Sequence, residues 1–184
     1  MRLQNNIGYK VVGEFDVSKI AEEISNLHQE VWERNQSRQL RSYEHQHTKS
    51  VFIYDVAASW DGSGYPIQNY FVNENLNQYT DNIVNSLQKL YNGKVGKVLY
   101  INLPAGKNIR VHKDHHYYLN SVHRCHIPII TNDKVDFYLN DGVINMKTGI
   151  CYEINNSDNH GVDNRSELDR IHLLIDIIPM SVFK

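Results

Sequence analysis

Residues 123–154 read HRCHIPIITNDKVDFYLNDGVINMKTGICYEI. Their apolar and β-branched residues come in short runs, each closed by turn residues, which predicts strands at 123–130, 134–140, 142–147 and 149–154. Asp141-Gly142 is a two-residue hairpin signal, and Lys147-Thr148-Gly149 marks a second tight turn. Outward from this stretch the pattern continues. KVLYINL (97–103) and NIRVH (108–112) precede it; NHGVD (159–163) and LDRIHLLIDII (168–178) follow it. Short strands joined without helices cannot form a parallel sheet, whose crossovers need room for one. The pattern predicts a mainly β fold, a double-sheet jelly roll or a closed barrel.

Upstream of about residue 94 the periodicity changes. Val17, Ile20, Ala21, Ile24, Leu27 and Val31 recur at steps of three and four, predicting one helix from Val17 to about Arg34, capped by Asp16 or Ser18. A second helix is expected over 78–91, closed by Asn92-Gly93. Between them lie a polar loop (35–49), a strand (Val51–Tyr54) and a turn-rich loop holding Trp60. The 184 residues fit one domain, with a helical and loop part (1–93) packed on a jelly-roll core (94–180).

Composition narrows the classes. The net charge of −2 gives no basic field for nucleic acid or anionic membranes, and Arg34, Arg38 and Arg41 alone speak for the former. No apolar run approaches a bilayer span, and Met1–Lys10 lacks the apolar centre of a leader. Cys125 and Cys151 sit in apolar stretches and read as buried thiols rather than a disulfide framework. A cytoplasmic protein is expected. Histidine is unusually frequent, at 10 residues, and crowds between 112 and 126.

Period-two alternation puts Arg170, His172, Leu174 and Asp176 on one face of the last strand, and Arg124 and His126 in phase on another. An antiparallel sheet with one wet face looks the same as one whose polar face lines a cavity. The metal pattern favours the cavity. His112-Lys113-Asp114 ends a strand with both side chains on one side, and His160 lies several strands downstream. Two imidazoles and a carboxylate make the facial triad of non-haem Fe(II) oxygenases. His115 and His116 are rival ligands, and such a cluster also suits zinc on a cupin-like barrel, catalytic or not. Ten residues after His160, Arg170 offers a two-pronged partner for an anionic cosubstrate.

Together GKVLYINLPAG, His112-Lys113-Asp114, HRCHIPI, EINNSDNHGVDN and LDRIHLLIDIIP resemble the aspartyl/asparaginyl β-hydroxylase family, which includes bacterial proline hydroxylases. The resemblance implies a double-stranded β-helix and an Fe(II)- and 2-oxoglutarate-dependent hydroxylase that uses O₂ and releases succinate and CO₂. It makes His112 and His160 iron ligands. It gives the distal carboxylate of 2-oxoglutarate to Arg170, and cosubstrate contacts near the metal to Arg124 and His126. Tyr100, four residues before Pro104, becomes a weaker cosubstrate candidate. Animal members lack the carboxylate ligand, so Asp114 aligns this chain with the bacterial members. An amino acid or peptidyl residue, Asp-, Asn- or Pro-like, is the implied substrate. Relative to the family, DHHYYLNSV (114–122) carries extra residues and is expected to form a lip over the site.

Other residues keep two readings. His172 reads as a core histidine with a hydrogen-bond partner. His115 and His116 read as solvated lip residues. Tyr117 and Tyr118 cover substrate or pack, and Trp60 is a lid residue or a packing anchor. Arg38, Arg41, His45 and His47 either meet a substrate carboxylate at the barrel mouth or belong to a wet connection.

Overall fold

The computed structural model describes residues 8–184, so most of the leader reading at Met1–Lys10 lies outside the described residues. Strand β1 (Tyr9–Glu14) is followed by α1 (Ser18–Ser25), α2 (Gln29–Glu33) and α3 (Ser37–Arg41). A 3-10 turn (Tyr43–His45) leads into β2 (Lys49–Asp55) and β3 (Gln68–Asn69). After α4 (Glu74–Tyr91) come β4 (Gly93–Leu103), β5 (Asn108–His112) and α5 (Tyr117–Ser121). Then follow β6 (His123–Ile130), β7 (Val135–Leu139), β8 (Gly142–Ile144), β9 (Ile150–Ile154), β10 (His160–Asn164) and β11 (Arg170–Pro179).

Local chemistry explains the boundaries. Asn73 caps α4, its side chain accepting from the Leu76 amide at 2.8 Å, so the helix begins before the expected residue 78. It ends where Asn92 turns left-handed, at φ 45° and ψ 57°, and Gly93 begins β4 at once. The expected single helix from Val17 is two. His28 is extended, with ψ 146°, and separates α1 from α2. Both short helices face the same core through Ile20, Ile24 and Trp32, so the apolar period runs on across the bend. The N-cap of α1 is Val17, without a side-chain cap, in place of the expected Asp16 or Ser18; Asp16 sits one residue earlier and accepts from the Ser18 amide at 3.0 Å.

Two antiparallel sheets face each other. The large one runs β1-β9-β6-β11-β4-β2-β3 and the small one β5-β10-β7-β8. This is the jelly-roll, cupin-like arrangement. The N-terminal part does more than pack on it, since β1 pairs with β9 and β2 with β4, extending the large sheet at both edges. Helices α1, α2 and α4 cover its outer face over Val98, Tyr100, Leu173 and Ile175. Leu103, Ile109, Phe137, Tyr152 and Val162 fill the space between the sheets. Cys125 and Cys151 are free and buried. Among the described residues no helix is long and apolar enough to cross a membrane.

Candidate active site

The end of β5 and the start of β10 lie side by side. His112 pairs with His160 across them, and the imidazole centroids are 4.3 Å apart. Gly161 allows the close approach, because a Cβ there would stand 3.0 Å from the Ile109 carbonyl oxygen. Beyond β5 the Asp114 amide donates to the Asn156 carbonyl at 2.9 Å, which turns the carboxylate back toward the imidazoles. Asp114 Oδ1 lies 3.9 Å from His112 Nε2, and Oδ2 lies 3.9 Å from His160 Nε2. The three ligand atoms fall within 4.8 Å of one another, a spacing that one ion can gather.

The surroundings prepare these groups for a cation. His112 Nδ1 donates to the Arg110 carbonyl at 2.7 Å and His160 Nδ1 to the Asp158 carbonyl at 2.9 Å, which leaves both Nε2 lone pairs for metal. Burial pulls the His160 pKa down to about 4 against the opposing pull of Asp114, so the ring is neutral near pH 7. Burial pushes the Asp114 carboxyl up, but Arg124 first, then His160 and His112, outweigh it and hold the pKa below the usual carboxylate range.

Arg124 and His126 lie on β6 beside β11, in register with Asp176 and Leu174. Their shared polar face lines the cavity between the sheets. The two arginines of this face differ sharply. Arg124 grips Asp176 with Nε and Nη2, both at 2.8 Å, and reaches Asp114 with Nη1. Tyr118, on α5, donates to Asp176 at 3.0 Å and accepts from the Lys97 amide at 2.7 Å. Arg124 therefore braces Asp114, and its Nε, Nη1 and Nη2 each donate to one of the chain's own carboxylates, where a cosubstrate contact was expected.

Arg170 is 1 % exposed and has no carboxylate partner among the described residues. Its Nη2 donates to His172 Nδ1 at 2.6 Å, and its Nε is buried without any partner. Burial, with repulsion from Arg38, pulls its pKa down to about 9. Its sequence neighbour Asp169 forms no ion pair with it and accepts from Asn102 and from the Ala105 amide instead. His126, next to Arg170 in the cavity wall, also has a buried unpartnered Nδ1, and burial holds its pKa well below the usual histidine value.

Tyr100 is a correction. Strand alternation turns Leu99 and Ile101 toward the cavity and Tyr100 the other way, where its hydroxyl meets Thr80 of α4 at 2.6 Å under the helices. It cannot touch a ligand between the sheets. His115 and His116 are exposed at the cleft and are not drawn into the metal cluster. The 114–122 lip contains α5, and its Tyr118 is buried support while Tyr117 is exposed. Trp60 is a packing anchor, with ring contacts to Tyr117, Tyr118 and Phe183. The expected loop 35–49 is largely helical, which brings Arg38 and His45 into the cavity wall; His47 stays exposed. Asp176, Tyr118 and Asn156 carry supporting roles that the sequence pattern did not assign.

The family model of the aspartyl/asparaginyl β-hydroxylases matches residues 14–179. No curated protein matches the chain by sequence. A prolyl hydroxylase from Trichoplax adhaerens, solved with a hypoxia-inducible-factor peptide, superposes with a TM-score of 0.65 at 14% identity, covering 97% of this chain and 86% of that one. A 2OG-Fe(II) oxygenase family protein from Burkholderia pseudomallei gives 0.60 at 10% identity, covering 94% and 85%. A prolyl-4-hydroxylase from Pseudomonas putida gives 0.55 at 12% identity, covering 95% and 94%. At these identities the superpositions establish a shared fold.

Proposed function

Because the chain belongs to the aspartyl/asparaginyl β-hydroxylase family, we propose that it is an Fe(II)- and 2-oxoglutarate-dependent oxygenase that hydroxylates an amino acid or a peptidyl residue. One observation carries this reading. The cavity that holds His112, Asp114 and His160 also holds a buried guanidinium, Arg170, with no acidic partner among the described residues. Two histidines and a carboxylate on one side of an ion suit Fe(II) with open positions. The unpartnered Arg170 Nε suits the far carboxylate of a dicarboxylic cosubstrate, since a desolvated cation needs a bound anion. A zinc site requires no such second pole.

His112, Asp114 and His160 would hold the iron, which with 2-oxoglutarate would supply O₂ activation, one oxygen atom going to the substrate and the other to succinate, with CO₂ released. The protein's own groups do the rest. Arg170 anchors the cosubstrate, with His126 beside it on the wall. Arg124 and Asn156 hold Asp114 in place, Asn156 Nδ2 donating to its Oδ2 at 3.3 Å. Ile101, Ile109, Phe137 and Leu174 keep water from the inner cavity. Two of the structural relatives are prolyl hydroxylases, one of them solved with a peptide fragment, which supports an amino-acid or peptide substrate here.

The test is metal analysis and succinate release. Anaerobically prepared protein should bind one Fe(II) per chain and release succinate slowly from 2-oxoglutarate without substrate. His112→Ala, Asp114→Ala and His160→Ala should each lose most of the iron. Full iron retention by all three variants, or zinc in place of iron with no succinate, refutes the reading.

A further inference from the structure

Arg38 is supplied to the cavity wall by α3, outside the jelly roll. It makes no ion pair among the described residues. Its Nη2 donates to His45 Nε2 at 3.1 Å. An arginine only donates, so the His45 proton sits on Nδ1. Arg38 Nη1 and His45 Nδ1 are both buried and without partners, so the pair presents unspent donors and no acceptor. Burial, with repulsion from Arg124, pulls the Arg38 pKa down to about 10. The short helix is held rather than loose: Ser42 donates its amide to the Arg38 carbonyl at 3.1 Å, and Thr48 Oγ1 donates to the His45 carbonyl at 2.8 Å.

The position of this pair matters as much as its chemistry. The His45 ring stands edge-on to the metal ligand His112, with centroids 5.1 Å apart. Arg38 lines the inner cavity with Arg170, and also an outer cleft of about 390 Å³ that reaches His112 and Asp114. A ligand in that cleft lies between solvent and the metal site, where a substrate must lie. Arg170 already answers for the cosubstrate's far end. A second guanidinium, half-buried but with its Nη1 buried and unpartnered among the described residues, calls for a second anion.

We propose that Arg38, oriented by His45, is the specificity-determining anchor for a carboxylate on the substrate. The assignment rests on the oxygenase reading of the same cavity and names its substrate class: a molecule whose free carboxylate docks at Arg38 while a nearby carbon faces the metal. That carboxylate is the α-carboxylate of a free amino acid or the side chain of an acidic residue.

The experiment uses the iron-loaded full chain with 2-oxoglutarate. The probes are the L-amino acids, the α-amide of each, and the N-acetyl α-methylamides of aspartate and glutamate. Two readouts are taken: succinate release above the uncoupled rate, and the rise in melting temperature under argon. A carboxylate probe should give both signals, and the same molecule with that group amidated should give neither. A response to a free amino acid assigns the α-carboxylate; a response to an acetylated acid assigns the side chain. Arg38→Gln should raise the KM for the responding probe by about 30-fold or more, well beyond any change in the 2-oxoglutarate KM of uncoupled turnover. Arg38→Lys, which keeps the charge and loses the fork, should fall between and decides the matter if Arg38→Gln does not fold. An equal response to the amide overturns the proposal. So does an unchanged probe KM in a folded variant, a shift confined to the 2-oxoglutarate KM, or silence of every carboxylate probe. A wild type that releases no succinate refutes the oxygenase reading instead, and the melting-temperature arm still decides Arg38.

Discussion

The two ends of the cavity hold arginines in opposite states. At the metal end, Arg124 is saturated by Asp176 and Asp114, and the pull of these acids outweighs burial and raises its pKa. At the far end and on the outer wall, the guanidinium groups of Arg170 and Arg38 bond, among the described residues, to histidines alone, and burial lowers both pKa values. Arg124 and Arg170 are buried and Arg38 is half-buried with its Nη1 out of water, so it is pairing with acids that sets Arg124 apart. The difference separates scaffold from receptor. A saturated arginine fixes the shape of the site, whereas an unsaturated one costs stability until a ligand supplies the missing acceptor.

The comparison breaks most visibly at Arg124. Asp176→Ala should cost about 3 kcal/mol of stability, because it leaves Arg124 Nε and Nη2 and the Tyr118 hydroxyl buried without their acceptor, with Asp114 alone to balance the guanidinium. Urea unfolding of the apo protein measures this, and a loss near zero would show that the pair is not structural. The double replacement Arg124→Met with Asp176→Leu sharpens the contrast. It should recover part of the stability, since the Arg124 guanidinium is gone, yet bind iron roughly 10–100-fold more weakly because Asp114 has lost its brace.

At Arg170 the expected effects reverse. Arg170→Met should leave the apo protein as stable as wild type or more so, because it removes an unpaired buried charge. The same variant should lose about 2–5 kcal/mol of 2-oxoglutarate binding. Calorimetric titration under argon, beside urea unfolding, separates the two quantities. If Arg170→Met destabilises the apo protein as strongly as Asp176→Ala does, Arg170 belongs to the scaffold after all.

The sequence made one of these regions plainer than the other. The strands from residue 97 onward are legible because each is a short apolar run bounded by turn residues, and His112-Lys113-Asp114 closes such a run. The cavity face was readable too, since Arg124, His126, Arg170 and Asp176 are in phase on their strands. What alternation cannot supply is register. That Arg124 sits opposite Asp176 depends on how β6 docks against β11, so Arg124 reads as a cosubstrate contact until the pairing is seen. The N-terminal part is harder still. Residues 35–49 carry no apolar period, because α3 and the 3-10 turn place polar groups, Arg38 and His45, against the cavity. Strand β1 and the two-residue β3 are edge additions that only the sheet beside them defines.

Tyr100 gives the smallest expected effect and the cleanest control on which face of β4 is the receptor. Counting back from Pro104 brings Tyr100 near a cosubstrate; alternation with the cavity-facing Ile101 and Leu103 puts it under α4. Thr80 Oγ1 gives its one proton to the Leu76 carbonyl at 2.6 Å, so the Tyr100 hydroxyl donates to Thr80. Tyr100→Phe removes that donor and leaves Thr80 bonded to the helix. The loss should be about 1 kcal/mol of stability, the net value of one buried hydrogen bond. The 2-oxoglutarate affinity should stay at the wild-type value, in contrast to Arg170→Met on the neighbouring strand. A tenfold weaker cosubstrate affinity in Tyr100→Phe, with stability unchanged, would return Tyr100 to the cavity and reverse the assignment of the two faces of the large sheet.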